Sequence, residues 1–259
     1  GIIAIYLAYN DFGFYSLIIQ KILSTTFALL LVWRGITWRP SLKISFINFK
    51  HTLKQGHPIL ASTLIGQSIF RFVELIIGFF LGVVALGYFK IAGKLLDVIV
   101  QFTLKPIVDV SLSAFSTLKN EPVELEKCYL NFVKVCSVFS FPAFVGTYVV
   151  GPETVVLLFG EKWEDSIPIL QILCIGGMSA TLNYFFGQLC HATNNSHIPF
   201  KIRTVEFSVA MVLVLIASQY SIYYVAMANV FVAALITSVM LIVLHKLFLF
   251  KLSNLLKNI

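Results

Sequence analysis

Residues 87–114 read GYFKIAGKLLDVIVQFTLKPIVDVSLSA, a stretch apolar enough to lie in a membrane that nevertheless carries charge along one side. Drawn as a helix, it places Lys90, Lys94, Asp97, Gln101 and Lys105 at steps of three or four residues, on a single face. Facing lipid, the four charges among them would cost about 10–14 kcal/mol, at roughly 2.5–3.5 kcal/mol each on insertion scales. They must therefore face protein or water. Two readings follow: structural ion pairs that lock helices together, or a wet polar passage, which is the reading carried forward.

The whole chain supports a membrane setting. Of its 259 residues 58% are hydrophobic and only 12% charged, with mean hydropathy +0.90, whereas about a quarter of an average soluble domain is charged. Apolar runs of about twenty residues recur along the length, separated by short polar segments, which predicts a polytopic helical bundle and not a barrel of alternating strands. The net charge of +7 comes from Lys and Arg scattered over membrane ends and interiors, so it reads as topology and function and not as nucleic-acid binding. Cys128, Cys136, Cys174 and Cys190 form no C-x-x-C pair and have no His at metal spacing. They read as free thiols filling small apolar spaces. No metal or cofactor is expected. The chain opens on Gly1 directly into an apolar run, so it is expected to begin inside a longer protein.

Working outward from the charged stretch, Gly1 to about Tyr9 reads as the end of a span and Phe14 to Trp33 as a complete one. Trp33-Arg34 and Trp38-Arg39 mark an interface, and residues 34–57 hold Arg34, Arg39, Lys43, Lys50 and Lys54 without an acidic residue, which predicts a cytoplasmic linker. Pro58 is expected in the first turn of the next span, which reaches Leu81 and carries Gln67, Arg71 and Glu74. Gly78 and Gly82 form a G-x-x-x-G suited to close helix contact. A short turn over Gly82–Gly87 then leads into the charged helix, making a hairpin of spans. At 1.5 Å per residue along both arms, Arg71 and Glu74 reach the depth of Lys90 and Lys94. The expectation is one cluster in which Glu74 and Asp97 sit among Arg71, Lys90 and Lys94, with Gln67 and Gln101 as polar lining. Pro106 is expected to kink the second arm.

Further on, Asn120-Glu121-Pro122 reads as a helix start, with Pro142 inside a span from Leu130 to Val150. Residues 151–166 form an acidic loop expected on the opposite side from the basic linker. The span from Ile167 to Cys190 offers Gly176, Gly177, Ser179, Ala180 and Gly187 for close packing, and spans near 202–217 and 222–244 follow. The tally is seven complete spans and part of another. The divisions are residues 1–33, the last helices of an amino-terminal lobe; 34–57, the basic linker; 58–247, a six-helix lobe; and 248–259, a cytoplasmic tail.

Enzyme motifs are missing: there is no G-x-x-x-x-G-K-[ST], no H-E-x-x-H and no G-x-S-x-G. His57 and His191 are the weak candidates for membrane-edge catalysis, and the chain is read as a non-enzyme. Three runs carry a resemblance instead: Leu86-Gly87-Tyr88-Phe89, Leu158-Phe159-Gly160-Glu161-Lys162-Trp163 and Ile167-Pro168-Ile169-Leu170-Gln171-Ile172-Leu173. Together they resemble the carboxy-terminal half of bacterial polysaccharide flippases, the Wzx-like members of the multidrug, oligosaccharidyl-lipid and polysaccharide exporter superfamily.

That resemblance implies an all-α integral membrane fold with two lobes around a cavity, of which this chain supplies the end of the first and all of the second. It implies an inner-membrane transporter that moves undecaprenyl-pyrophosphate-linked oligosaccharide to the periplasmic leaflet in O-antigen or other lipopolysaccharide biosynthesis. Its partners would be that lipid-linked oligosaccharide, membrane lipids and the polymerase and assembly proteins of the pathway. Arg71, Lys90 and Lys94 would serve as a cationic substrate-binding cavity, with Glu74 and Asp97 as charge partners or ion-coupling groups. Trp163 reads as an interfacial anchor ahead of a sugar contact. The rival readings are an ion-coupled exporter of small cations, which would want a cavity richer in carboxylates, and a non-transporting scaffold.

Overall fold

The computed structural model describes residues 9, 15–35, 46–248 and 250, apart from the side chains of 17, 46–52, 54 and 55. The expectations for the first span's end, for Trp38-Arg39 and for the tail beyond residue 250 lie outside the described residues. Two compact units divide the chain, Gly1–Phe49 and Lys50–Ile259. In the first, α1 spans Tyr15–Gly35 and exposes apolar side chains around its girth, among them Ile22, Phe27, Leu29 and Leu31, as a helix solvated by lipid does.

Every regular element described in the second unit is helical. α2 covers Phe46–Phe80 and α3 Gly82–Ile99; a π turn over Val100–Leu104 leads into α4, Lys105–Thr117. α5 runs Pro122–Phe159, a 3₁₀ turn Glu161–Trp163, α6 Ser166–Thr181, α7 Tyr184–Ala192, α8 His197–Ala217 and α9 Ile222–Phe248. α6 is the central element, packed against α9, α5 and α3, while α4 packs on α7 and α8 on α9. Ile169, Leu170 and Cys174 of α6 lie in one buried cluster with Val73 and Ile77 of α2, and Tyr129, Val133 and Cys136 of α5 lie in a second with Phe185, Phe186 and Leu189 of α7. The four cysteines are free, three of them buried, which fits their reading as apolar filler.

Among the described residues five helical stretches are long and apolar enough to cross a membrane: Ile18–Gly35, Gly56–Phe80, Pro122–Phe159, Ser166–Ala192 and Ile222–Phe248. α3 and α8, which are long enough but fall outside that set, are the helices holding Lys90, Lys94 and Asp97, and Lys201, Arg203 and Glu206. The protein is thus an all-α, multi-pass membrane protein in which two helices are set apart by their charge.

Several sequence expectations need correction. Pro58 does not open a helix; α2 begins at Phe46 and carries Pro58 inside it. α5 likewise does not stop near Val150 but continues through Pro142 and Pro152 to Phe159, so the acidic loop shrinks to 160–165. Proline removes one backbone hydrogen bond, yet in a bilayer no water competes for the backbone, and neighbouring groups satisfy what is freed. The turn expected over Gly82–Gly87 is a single residue, Leu81, and Gly82 with φ +85° makes it possible. Gly82 is therefore a turn residue and no part of a packing motif. Pro106 is met by the π turn: the Lys105 amide donates to the Val100 carbonyl five residues back, widening the helix where the ring would otherwise crowd the turn before it.

The span expected over 167–190 breaks at Leu182-Asn183. The break is held from outside: the Tyr129 hydroxyl donates to the Leu182 carbonyl at 3.3 Å, and the Asn183 amide donates to Thr237 Oγ1 at 2.7 Å. Thr237 in turn donates to the Ala233 carbonyl at 2.8 Å. A Thr237→Val variant keeps the shape but leaves the Asn183 amide without this acceptor. Its unfolding free energy in detergent micelles is expected to fall by about 0.6–1.7 kcal/mol, the range of interhelical hydrogen bonds in membranes; an unchanged value would mean that the break stands without that tie.

Candidate functional site

The α2–α3 hairpin sets the register of the site. Lys90 faces Glu74 across it, and a Cβ built on Gly78 would lie 3.5 Å from Leu86, so facing residues on the two arms add to the same number. Arg71 and Glu74 stand one turn apart on α2. The Arg71 guanidinium donates from Nη1 to Glu74 Oε2 at 3.2 Å, and Lys90 Nζ reaches the same oxygen at 3.5 Å. Two cations thus converge on one carboxylate oxygen and leave a net charge of +1. The Arg71 side chain remains 77% exposed and that of Lys90 52%, against 28% for Glu74.

The structure brings Arg71, Glu74 and Lys90 together as expected, but not the rest of the cluster. Lys94 and Asp97 are exposed and make no ion pair among the described residues. Gln67, Gln101 and Lys105 are exposed as well. The face bearing these groups points away from the buried cores, on which α3 places Ala92 and Ile99.

A second charged pair was missed by the sequence reading, which placed neither Arg203 nor Glu206 in the site. Arg203 Nη1 donates to Glu206 Oε2 at 2.6 Å within α8, with side chains 40% and 15% exposed. A signal for it exists: Arg71-Phe72-Val73-Glu74 and Arg203-Thr204-Val205-Glu206 share an Arg-x-Val-Glu pattern, and both fold into the same one-turn pair. α8 lies beside α2, since Phe72 and Phe207 meet edge to face with centroids 5.9 Å apart and a Cβ on Gly66 would lie 3.9 Å from Arg203 Nε.

His57 and His191 do not form a catalytic arrangement. His57 Nδ1 lies 3.2 Å from the Leu53 carbonyl one turn back inside α2, and His191 Nδ1 3.0 Å from Ser196 Oγ between the end of α7 and the start of α8, so both contacts are local. The Trp163 loop is a packing feature. Gly160, with φ +90°, ends α5, and Trp163 lays its ring on Gly87, where a Cβ would come within 3.0 Å, and meets Tyr88 edge to face at 5.8 Å. The run around Gly87 and the run around Trp163 are thus the two sides of one clasp.

Comparison with known proteins follows the same lines. The family described as "Polysaccharide biosynthesis protein" matches residues 1–168, well over half of the chain. The chain belongs to this family. Relatives include the lipopolysaccharide biosynthesis protein WzxC of Escherichia coli K12, 27% identical over 183 residues, covering 70% of this chain and 37% of that protein. The teichuronic acid biosynthesis protein TuaB of Bacillus subtilis is 28% identical over 164 residues, 63% of this chain and 34% of its own. The succinoglycan biosynthesis transport protein ExoT of Rhizobium meliloti is 20% identical over 175 residues, 68% of this chain and 35% of its own. The chain therefore spans a little over a third of the length of these family members. No solved structure matches it. The match ends at residue 168, so Arg71, Glu74, Lys90, Lys94 and Asp97 lie within it and Arg203 and Glu206 beyond it.

Proposed function

We propose that the protein is the carboxy-terminal part of an inner-membrane transporter that carries lipid-pyrophosphate-linked oligosaccharide from the cytoplasmic to the outer leaflet, and that it is not an enzyme. The observation that supports this reading best is the convergence of Arg71 and Lys90 on the single Glu74 oxygen, with both cations still open. A structural lock would bury matched charges between helices. Arg71 instead pairs within its own helix, where an exposed pair contributes at most about 1 kcal/mol.

The physical need is clear. A pyrophosphate with a hydrated sugar cannot cross hydrocarbon without partners for its charge and hydroxyls. Arg71 offers a forked contact to phosphate and Lys90 and Lys94 mobile point charges, while Glu74 holds the cations in place between substrates. The prenyl tail stays in lipid as the head passes. Residues 58–247 would form one lobe around this passage; the relatives' remaining length, outside the matched region, would supply its opposite wall. The relatives' roles in lipopolysaccharide, teichuronic acid and succinoglycan biosynthesis, the last as a transport protein, point the same way.

The test uses the full-length gene in its own bacterium. Deleting it is expected to stop surface polysaccharide and leave lipid-linked units on the cytoplasmic side, and restoring wild type is expected to reverse both. Unchanged surface polysaccharide, with raised sensitivity to cationic compounds, would move the assignment to drug export.

A further inference from the structure

The charged groups around α2 fall into two layers of opposite sign. The hairpin register that pairs Glu74 with Lys90 sets Gln67 level with Asp97, and the approach of Gly66 to Arg203 brings α8 to that same level. From Glu74 to Gln67 is two turns, about 10 Å along the helix. Tyr184, first residue of α7 and just past the break, is exposed, and α7 packs on α8, the helix of Arg203. This second layer therefore joins α2, α3, α7 and α8. With Glu206, one turn beyond Arg203 on α8 and toward the depth of Phe72, this group sets two carboxylates, Asp97 and Glu206, against one guanidinium, Arg203, a net charge of −1, where the group at Glu74 is +1. Lys94 lies between the two.

Chemistry of opposite sign suits different parts of one head group. Phosphate calls for cations, whereas sugar hydroxyls are donors that carboxylates and amides accept from, with a guanidinium to donate back and a tyrosine face to cover the ring. Building on the transporter reading above, we propose that Gln67, Asp97, Tyr184, Arg203 and Glu206 form a sugar-binding subsite separate from the phosphate-binding layer at Arg71 and Lys90. The subsite takes an uncharged sugar. A uronic acid in it would meet two carboxylates with one cation between them, an arrangement that like charges disfavour.

The test measures equilibrium binding by the full-length protein in nanodiscs, with undecaprenyl pyrophosphate and with undecaprenyl pyrophosphate bearing N-acetylglucosamine. Wild type is expected to bind the sugar-bearing lipid about tenfold or more tightly than the sugar-free one, as hydrogen bonds to charged acceptors imply. An Asp97→Asn, Glu206→Gln variant loses that preference and binds the sugar-free lipid as wild type does, which also reports that it is folded. Should the variant keep the preference, or weaken for both lipids alike, the subsite is refuted while the transporter reading stands. Should wild type bind neither lipid, the transporter reading fails first and this inference goes with it.

Discussion

Full-length protein carrying Arg71→Ala together with Lys90→Ala is expected to move lipid-linked oligosaccharide, the substrate proposed above, at least about a hundredfold more slowly than wild type, because the two charge-assisted contacts proposed to phosphate would be lost at roughly 1.5–3 kcal/mol each. Expression and melting temperature barely move, since exposed ion pairs add little to stability. The measurement is the rate at which lipid-linked units become accessible on the outer face of vesicles, at matched protein level. One complication is built into the geometry: the double variant strips both partners from Glu74, which is 28% exposed. Adding Glu74→Gln removes that carboxylate charge, and the triple variant is expected to be as slow as the double. If the triple variant recovers, the defect came from an orphaned carboxylate and Arg71 and Lys90 do not touch the substrate.

The conservative exchange separates the passage from a scaffold. Arg71→Lys keeps the charge and can keep the one-turn pair with Glu74, but an ammonium cannot make two parallel bonds to a phosphate. Transport is expected to fall to an intermediate level. A scaffold held by charge alone would tolerate the exchange without loss.

How far the sequence carried this picture depended on whether the cause was local. The hairpin was legible because helical rise alone puts Glu74 and Lys90 at one depth, and the structure joins them at 3.5 Å. The start of α5 was legible in Asn120-Glu121-Pro122, since Pro122 takes the first helical turn. Elsewhere the reading misled, because Pro58 was taken as a helix start and the acidic stretch from residue 151 as a loop, whereas α2 passes straight through Pro58 and α5 runs on to Phe159. The break at Leu182-Asn183 could not be read locally at all. No proline or glycine occupies it, and the groups that hold it, Tyr129 and Thr237, lie 53 and 54 residues away in the chain. In the candidate site the Glu74 cluster followed from spacing. Arg203 and Glu206 were hidden because a basic residue near a helix start reads as a topology mark, although the repeated Arg-x-Val-Glu pattern was there to be seen.

The largest stability effect is expected at α6, where Gly177→Leu leaves little or no folded protein. A Cβ at Gly177 would sit 2.5 Å from the Phe144 ring of α5, and one at neighbouring Gly176 would sit 2.9 Å from Val230 of α9. α6 is thus gripped on two sides, and Phe144 is buried, only 1% exposed. Overpacking a filled core costs about 1–3 kcal/mol, and more where neither side can yield. The partner of the clash can be removed. Phe144→Ala alone costs about 3–5 kcal/mol for the lost burial, but combined with Gly177→Leu it makes room for the new side chain, so the double variant should be more stable than the sum of the two single losses. Thermal unfolding of the three purified variants checks this, and a Gly177→Leu protein that melts with wild type would show that α5 and α6 stand further apart. Gly187, by contrast, has nothing within 4 Å of a Cβ, so Gly187→Ala is tolerated and the small residues of this segment are not interchangeable. The close approach belongs to α6, and it fixes the helix whose far end leads through the break to Tyr184 and the polar face beyond.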